Sequence, residues 1–136
     1  MSSLSVRAKS VLLTFRGFDL TAEEVVALVS VVASRLGNRG EPVKPGVKTL
    51  LTRSYAIFSL GFLNDYELCE MFPALLTHLG GINHIFQIQS QIQPEFSEIH
   101  FDLPVAASDE SQEGYLSTTV IADVSQLKAS ISFGFF

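Results

Sequence analysis

The sequence predicts an α+β fold: a single, mainly antiparallel sheet with two helices packed on one face, as a two-layer sandwich. Several segments alternate apolar and polar residues with the period of a strand, and two others carry helix caps and apolar stripes at helical spacing. The predicted helices and strands do not alternate strictly, as they would in a parallel α/β sheet. With 136 residues, 47% of them hydrophobic, the chain fits one domain with one core, residues 1–136.

The first strand and the first helix are predicted from the N-terminal third of the chain. Residues 6–16 alternate as a strand does. Thr21 and Glu24 then form a capping box, in which each side chain can bond the other residue's amide. The helix that begins there is predicted to end at Gly37, which suits a left-handed stop. Residues 38–47, rich in Gly and Pro, are predicted to be an exposed connection.

The middle of the chain predicts an inner strand and the second helix. Residues 48–60 are predicted to form a strand. Near its end, the odd-numbered and the even-numbered residues are both largely apolar, as in a strand covered on both sides. Asn64 with Glu67 three residues later indicates a helix start, and residues 80–81, both Gly, indicate its end. Pro73 removes one helical hydrogen bond, so we expect a kink or short break near it.

The next two segments, residues 86–93 and 97–103, both alternate with a period of two and are predicted to pair as a hairpin. If their apolar residues face the core, their polar residues share the opposite surface. We call this predicted surface the polar strand face, and it comprises Gln87, Gln89, Gln91, Gln93, Glu98, His100 and Asp102. Its amides, carboxylates and imidazole suit contacts with another protein.

The C-terminal part predicts an acidic loop and two further strands. Residues 107–114 form the predicted loop, and residues 115–122, rich in Thr, Val and Ile, a predicted strand. Asp123 could cap a single helical turn, and residues 131–135 alternate as a last strand. The loop carries the acidic residues Asp109, Glu110 and Glu113.

Composition excludes several classes of function. The net charge of −5 and pI near 5.0 disfavour nucleic-acid binding and favour a basic partner. A single cysteine, Cys69, excludes an internal disulfide and multi-cysteine zinc sites. The N-terminus lacks the apolar stretch of a signal peptide, and no run reaches the ~20 apolar residues of a membrane span, so we expect a soluble cytoplasmic protein.

No metal site, cofactor or catalytic centre is predicted. The three histidines form no close ligand pair with one another or with Cys69. His100 stands two residues from Glu98 and Asp102, about 6.5–7 Å along a strand, so we expect a surface residue without direct hydrogen bonds to them. Ser59 lacks the preceding glycine of a nucleophile elbow. We therefore expect a protein that is not an enzyme.

Four features in order resemble a bacterial family of small proteins known only as a domain of unknown function. They are the strand end FRGFDLT at 15–21, the strand AIFSL at 56–60 feeding the helix at 68–79, the late hairpin, and the ending LKASISF at 127–133. Small acidic single-domain proteins with this layout look like the immunity proteins of bacterial polymorphic toxins, including those of contact-dependent growth inhibition. The resemblance implies binding and neutralising a toxin domain.

We therefore expect an immunity protein that covers the active site of a toxin, such as a basic nuclease, through the polar strand face and the acidic loop. The free protein would be a monomer or weak dimer. Two other functions remain open: a small-ligand-binding or regulatory module without catalytic activity, and a structural domain that self-associates through its glutamine-lined strand.

Overall fold

The computed structural model describes residues 9–63, 65–104 and 114–136. Strands and helices are mixed along this part of the chain, as predicted. In chain order the elements are β1 (Lys9–Arg16), α1 (Ala22–Val29), β2 (Arg35–Gly37), β3 (Tyr55–Phe62), α2 (Leu68–His78), α3 (Ile82–Ile92), β4 (Phe96–Leu103), α4 (Thr118–Gln126) and β5 (Ser130–Phe135).

The strands form one open sheet in the order β2-β3-β1-β4-β5. The central strand β1 is antiparallel to β3 and β4, β2 is antiparallel to β3, and only β5 runs parallel to its neighbour β4 among the described strands. A parallel pair needs a long crossover, and the chain between β4 and β5 contains α4. The predicted α+β class and mainly antiparallel sheet are confirmed.

The core lies between the sheet and the helices. Val11, Leu13 and Phe15 alternate along β1 and are fully buried, as are Ile99 and Phe101 beside them on β4. Helices α1 and α2 contact the sheet directly, α3 contacts both of them, and α4 contacts α2. The described part of the chain thus has four helices where two were predicted.

The opposite side of the sheet has no helix packed over it in the described part of the chain, and we call it the open face. Strand alternation and the register of the strand pairs define its residues. On the four longer strands they are Ser10, Leu12, Thr14, Arg16, Tyr55, Ile57, Ser59, Gly61, Phe96, Glu98, His100, Asp102, Ser130, Ser132 and Gly134.

The capping box of α1 is confirmed, but the predicted helix end is wrong. The Glu24 amide donates to Thr21 Oγ1 at 3.1 Å, and the Thr21 amide donates to Glu24 Oε1 at 3.0 Å. The helix ends at Val29, because Ser30 adopts the left-handed conformation with φ of 66°. Gly37 lies in β2 instead, where a Cβ would stand 2.6 Å from the Tyr55 ring. That glycine makes room for an aromatic side chain.

The predicted strand at residues 86–93 is wrong, since these residues belong to α3 and its C-terminal cap. Ile85, Ile88 and Ile92 are buried, and they stand three and four residues apart, as on one helix face. Gln93 ends the helix in the left-handed conformation. The predicted hairpin therefore does not exist, although its second strand is confirmed as β4.

The predicted strand at residues 115–122 is also wrong. Ser117 accepts from the Val120 amide at 3.2 Å and caps α4, whose Val120 and Val124 are buried one turn apart. Asp123 lies inside this helix and does not begin a separate turn. The last strand is confirmed as β5, but it pairs in parallel with β4.

The remaining predictions differ from the structure mainly at the ends of elements. β3 begins at Tyr55, so the predicted strand at 48–60 starts too early. Helix α2 starts after Glu67, which makes no side-chain cap, and continues through Pro73 without a break. Residues 6–8 and Asn64 lie outside the described residues. Among the described helices, none combines the length and the apolar character needed to cross a membrane.

Candidate functional site

The predicted polar strand face is divided between the two layers of the fold. Glu98, His100 and Asp102 lie on the open face of β4. The glutamines belong to α3 and its cap, in the helical layer, so they do not line up with the β4 residues. Gln87, Gln91 and Gln93 are exposed, whereas Gln89 is half-buried and donates from Nε2 to the Leu127 carbonyl. The predicted acidic residues Asp109, Glu110 and Glu113 lie outside the described residues.

His100 is the centre of a hydrogen-bonded network on the open face. Its Nε2 lies 2.9 Å from Asp102 Oδ1, and its Nδ1 lies 2.6 Å from Ser132 Oγ. Ser132 Oγ in turn donates to Glu98 Oε2 at 3.0 Å. The expectation that His100 makes no direct bond to its neighbours is wrong, because the imidazole and carboxylate reach toward each other across the gap between alternate strand positions.

Ser132 enters this network through the parallel pairing of β5 with β4. The register places Ser132 beside His100, and Ser130 beside Glu98. The Ser132 hydroxyl therefore stands between Glu98 and His100, which are two residues apart on one strand. Sequence reasoning missed Ser132, because nothing local in the sequence states which strand β5 joins or in which direction.

The network joins a serine, an imidazole and a carboxylate, as a catalytic triad does, but the hydrogen bond that the Ser132 hydroxyl donates favours a structural role. A nucleophilic serine gives its proton to the imidazole. Ser132 has a single hydroxyl proton, and the Glu98 carboxylate competes for it. We interpret the series of hydrogen bonds from Glu98 through Ser132 and His100 to Asp102 as a clamp that holds the edge strand β5 on β4.

Gly134 leaves space for this clamp. A Cβ at that position would stand 2.8 Å from Asp102 Oδ1 and 2.9 Å from His100 Nε2. Separations below 3 Å require one of these atoms to move. Gly61 lies on the same face, and a Cβ there would meet nothing closer than the Lys9 carbonyl oxygen at 4.0 Å. The two glycines therefore differ sharply in what a methyl group would contact.

A pocket of about 310 Å³ adjoins the clamp at the other end of the open face. Two arginines at the pocket are stacked on aromatic rings: Arg16 lies 5.6 Å from the centre of the Tyr55 ring, and Arg53 lies 5.3 Å from that of Phe96. The residues that line the pocket are Thr14, Arg16, Arg53, Phe96, Glu98 and Ser130.

The two arginines differ in their ionic partners. Arg53 Nε donates to Glu95 Oε2 at 2.8 Å, and both side chains are about half exposed. Arg16 is exposed and makes no ion pair with any residue in the described part of the chain. Glu98 adds a carboxylate to the pocket wall, so the pocket presents charges of both signs.

A second cluster lies at the start of α2, away from the open face. The possible ligand atoms of Glu67, Cys69 and Glu70 lie within 4.8 Å of one another. The pKa of Tyr115 is raised above its ordinary value, and the largest cause is a hydrogen bond with the Cys69 side chain. The negative charges of Cys69 and of the two glutamates raise it further. Both glutamates are exposed, and acidic groups at a surface commonly stand together without binding an ion.

Comparison with known proteins finds no matching family, no similar curated protein and no similar solved structure. The resemblance to immunity proteins therefore stays a prediction. A function can therefore be proposed only from the residues of this chain and their arrangement.

Proposed function

We propose that this chain is a binding protein of the immunity type, which recognises another protein through its open face. The observation that carries the proposal is a sheet face that no helix of the described residues covers and that presents two arginine–aromatic pairs around a pocket. Arginine and aromatic side chains are enriched among the residues that contribute most to protein–protein affinity. Phe96 is 54% exposed although it lies beside a pocket, as expected for an anchor that a partner covers.

The size of the open face fits part of such an interface. Strands β1, β3 and β4 have eight residues each and β5 has six. At about 3.3 Å per residue and about 4.8 Å between strands, they give a plane of roughly 480 Å². Specific complexes bury about 800 Å² on each partner. The loop that carries Arg53 borders the face and would supply part of the remaining area.

The partner that we propose is a cognate bacterial toxin domain, bound in the cytoplasm so that its active site is covered. This identity follows the resemblance given above, and the net charge of −5 is compatible with a basic nuclease. The open face carries Arg16, Glu98 and Asp102, and Arg53 stands at its border. The toxin surface should therefore present charges of both signs, arranged to complement them.

Co-purification with the product of the adjacent gene tests this proposal. We expect a stable one-to-one complex, and we expect this chain to rescue cells that express that product. A protein that neither forms the complex nor rescues growth would contradict the immunity function.

A further inference from the structure

The pocket on the open face has a cationic wall with unused donors. Arg53 uses its Nε for Glu95, which leaves the terminal nitrogens of its guanidinium for another acceptor. Arg16 has no ionic partner among the described residues, and stacking on Tyr55 limits its positions. Two guanidinium groups at one pocket are suited to a carboxylate, which can accept paired hydrogen bonds from them.

The pocket also contains an anionic group and two hydroxyls. Glu98 accepts the Ser132 hydroxyl on Oε2, which leaves Oε1 for another donor. Thr14 and Ser130 add hydroxyls, and Phe96 adds an apolar surface. A simple anion such as phosphate would be attracted by the arginines but repelled by Glu98, whereas a ligand that carries both charges would satisfy both groups.

We propose that this pocket binds a free α-amino acid. The ligand's carboxylate is held by Arg16 and Arg53, and its ammonium group by Glu98. The cavity of about 310 Å³ accommodates a ligand of this size and stands at the lower end of the range of roughly 300–1,000 Å³ that is usual for small-molecule sites. The site is open to solvent on the sheet surface, so we expect weak binding, with a Kd on the order of 1 mM.

Nuclear magnetic resonance of the whole chain tests the site directly. Each standard amino acid is titrated to about 20 mM, well above the Kd expected for so small a ligand. At least one should produce saturable shifts of the Arg16 and Arg53 Nε–H signals. Acetate and methylammonium each carry only one of the two charges, so both should bind at least about tenfold more weakly.

Variants separate this site from general charge effects. Arg16→Ala and Glu98→Gln should each weaken amino-acid binding by about tenfold or more, because each removes one charged partner. Arg35→Ala is the matched control, since Arg35 is an exposed residue of β2 that does not line the pocket. It should leave the Kd unchanged.

The inference fails if no amino acid gives saturable shifts, if acetate binds as tightly as the best amino acid, or if Arg35→Ala weakens binding as much as Arg16→Ala. It does not rest on the proposed protein partner, which the co-purification experiment tests separately.

Discussion

Replacing Gly134 by alanine tests the clamp that joins β5 to β4. The new Cβ would stand within 3 Å of atoms in both His100 and Asp102, so at least one of these side chains has to leave its position. Both side chains are about one-third exposed, so they can move toward solvent without disturbing the core. The substitution therefore disrupts the clamp at His100 or Asp102 and leaves the packing of the sheet on the helices unchanged.

The expected cost follows from three contributions. Losing the contact between His100 and Asp102 costs about 0.5–1.5 kcal/mol. Steric displacement adds about 1 kcal/mol, at the low end for overpacking because the displaced groups reach solvent. Removing a glycine from a strand offsets about 0.5–1 kcal/mol of this. We expect Gly134→Ala to lower the free energy of unfolding by about 1 kcal/mol.

Gly61→Ala is the matched control, because Gly61 lies in a strand on the same face with open space around it. There the glycine effect acts alone, so this variant should be more stable by about 0.5 kcal/mol. Urea denaturation of both variants measures the difference, and hydrogen exchange should show faster opening of β5 in Gly134→Ala only. A Gly134→Ala protein as stable as Gly61→Ala, with unchanged exchange in β5, would refute the clamp.

Three further predictions concern other parts of the fold. Thr21→Ala should lower the free energy of unfolding by about 1 kcal/mol in urea denaturation, because it removes a side-chain cap; an unchanged midpoint would show that the capping box contributes nothing. Phe101→Ala should lower the free energy of unfolding by about 3–5 kcal/mol in the same assay, because Phe101 is buried, and Phe96→Ala should lower it by less than about 0.5 kcal/mol, because Phe96 is exposed. Equal losses would contradict the assignment of Phe101 to the core side of the sheet and of Phe96 to the open face. A hydrogen bond from Asn38 lowers the pKa of Glu23. The contact therefore stabilises the fold above the ordinary pKa of the carboxyl group, and this stabilisation is lost as pH falls through the lowered pKa of Glu23. Asn38→Ala should raise the Glu23 pKa in a nuclear magnetic resonance titration, and an unchanged pKa would show that the Asn38 hydrogen bond does not lower it.

Local signals predicted part of the fold well. The capping box between Thr21 and Glu24 uses atoms three residues apart, so the sequence alone determines its geometry. The alternation of β1 and β4 persists because one face of each strand is buried and the other is not. The class of fold depends on these patterns and not on the exact ends of the elements, so it was predicted correctly.

The failure at α3 has a specific physical cause. Its isoleucines at 85, 88 and 92 fit a helical face, while Phe86, Ile88 and Ile92 also fall on alternate positions with glutamines between them. A short segment can satisfy both periods, and the contacts made by the folded chain decide between them. Because α3 packs on α1 and α2, the helical face is the one that is buried.

The candidate site could be predicted only in part for a different reason. Glu98, His100 and Asp102 stand on one strand, and their alternation correctly placed them on one surface. Ser132 follows His100 by 32 residues in the sequence and joins these side chains only through strand pairing, and Arg53 reaches the pocket from a loop. Such long-range contacts depend on strand order and direction, which local patterns do not specify.

The affinity of two double variants for the co-purified partner tests most directly the claim that the open face is the binding surface. Arg16→Ala with Phe96→Ala alters that face, and Gln87→Ala with Gln91→Ala alters exposed residues of α3 as the matched control. Thermal unfolding should first establish that both remain folded. We predict a Kd at least roughly 30-fold higher for the open-face variant, equivalent to a loss of about 2 kcal/mol, and no change for the α3 variant. Weakened binding in the α3 variant with unchanged affinity in the open-face variant would contradict the claim.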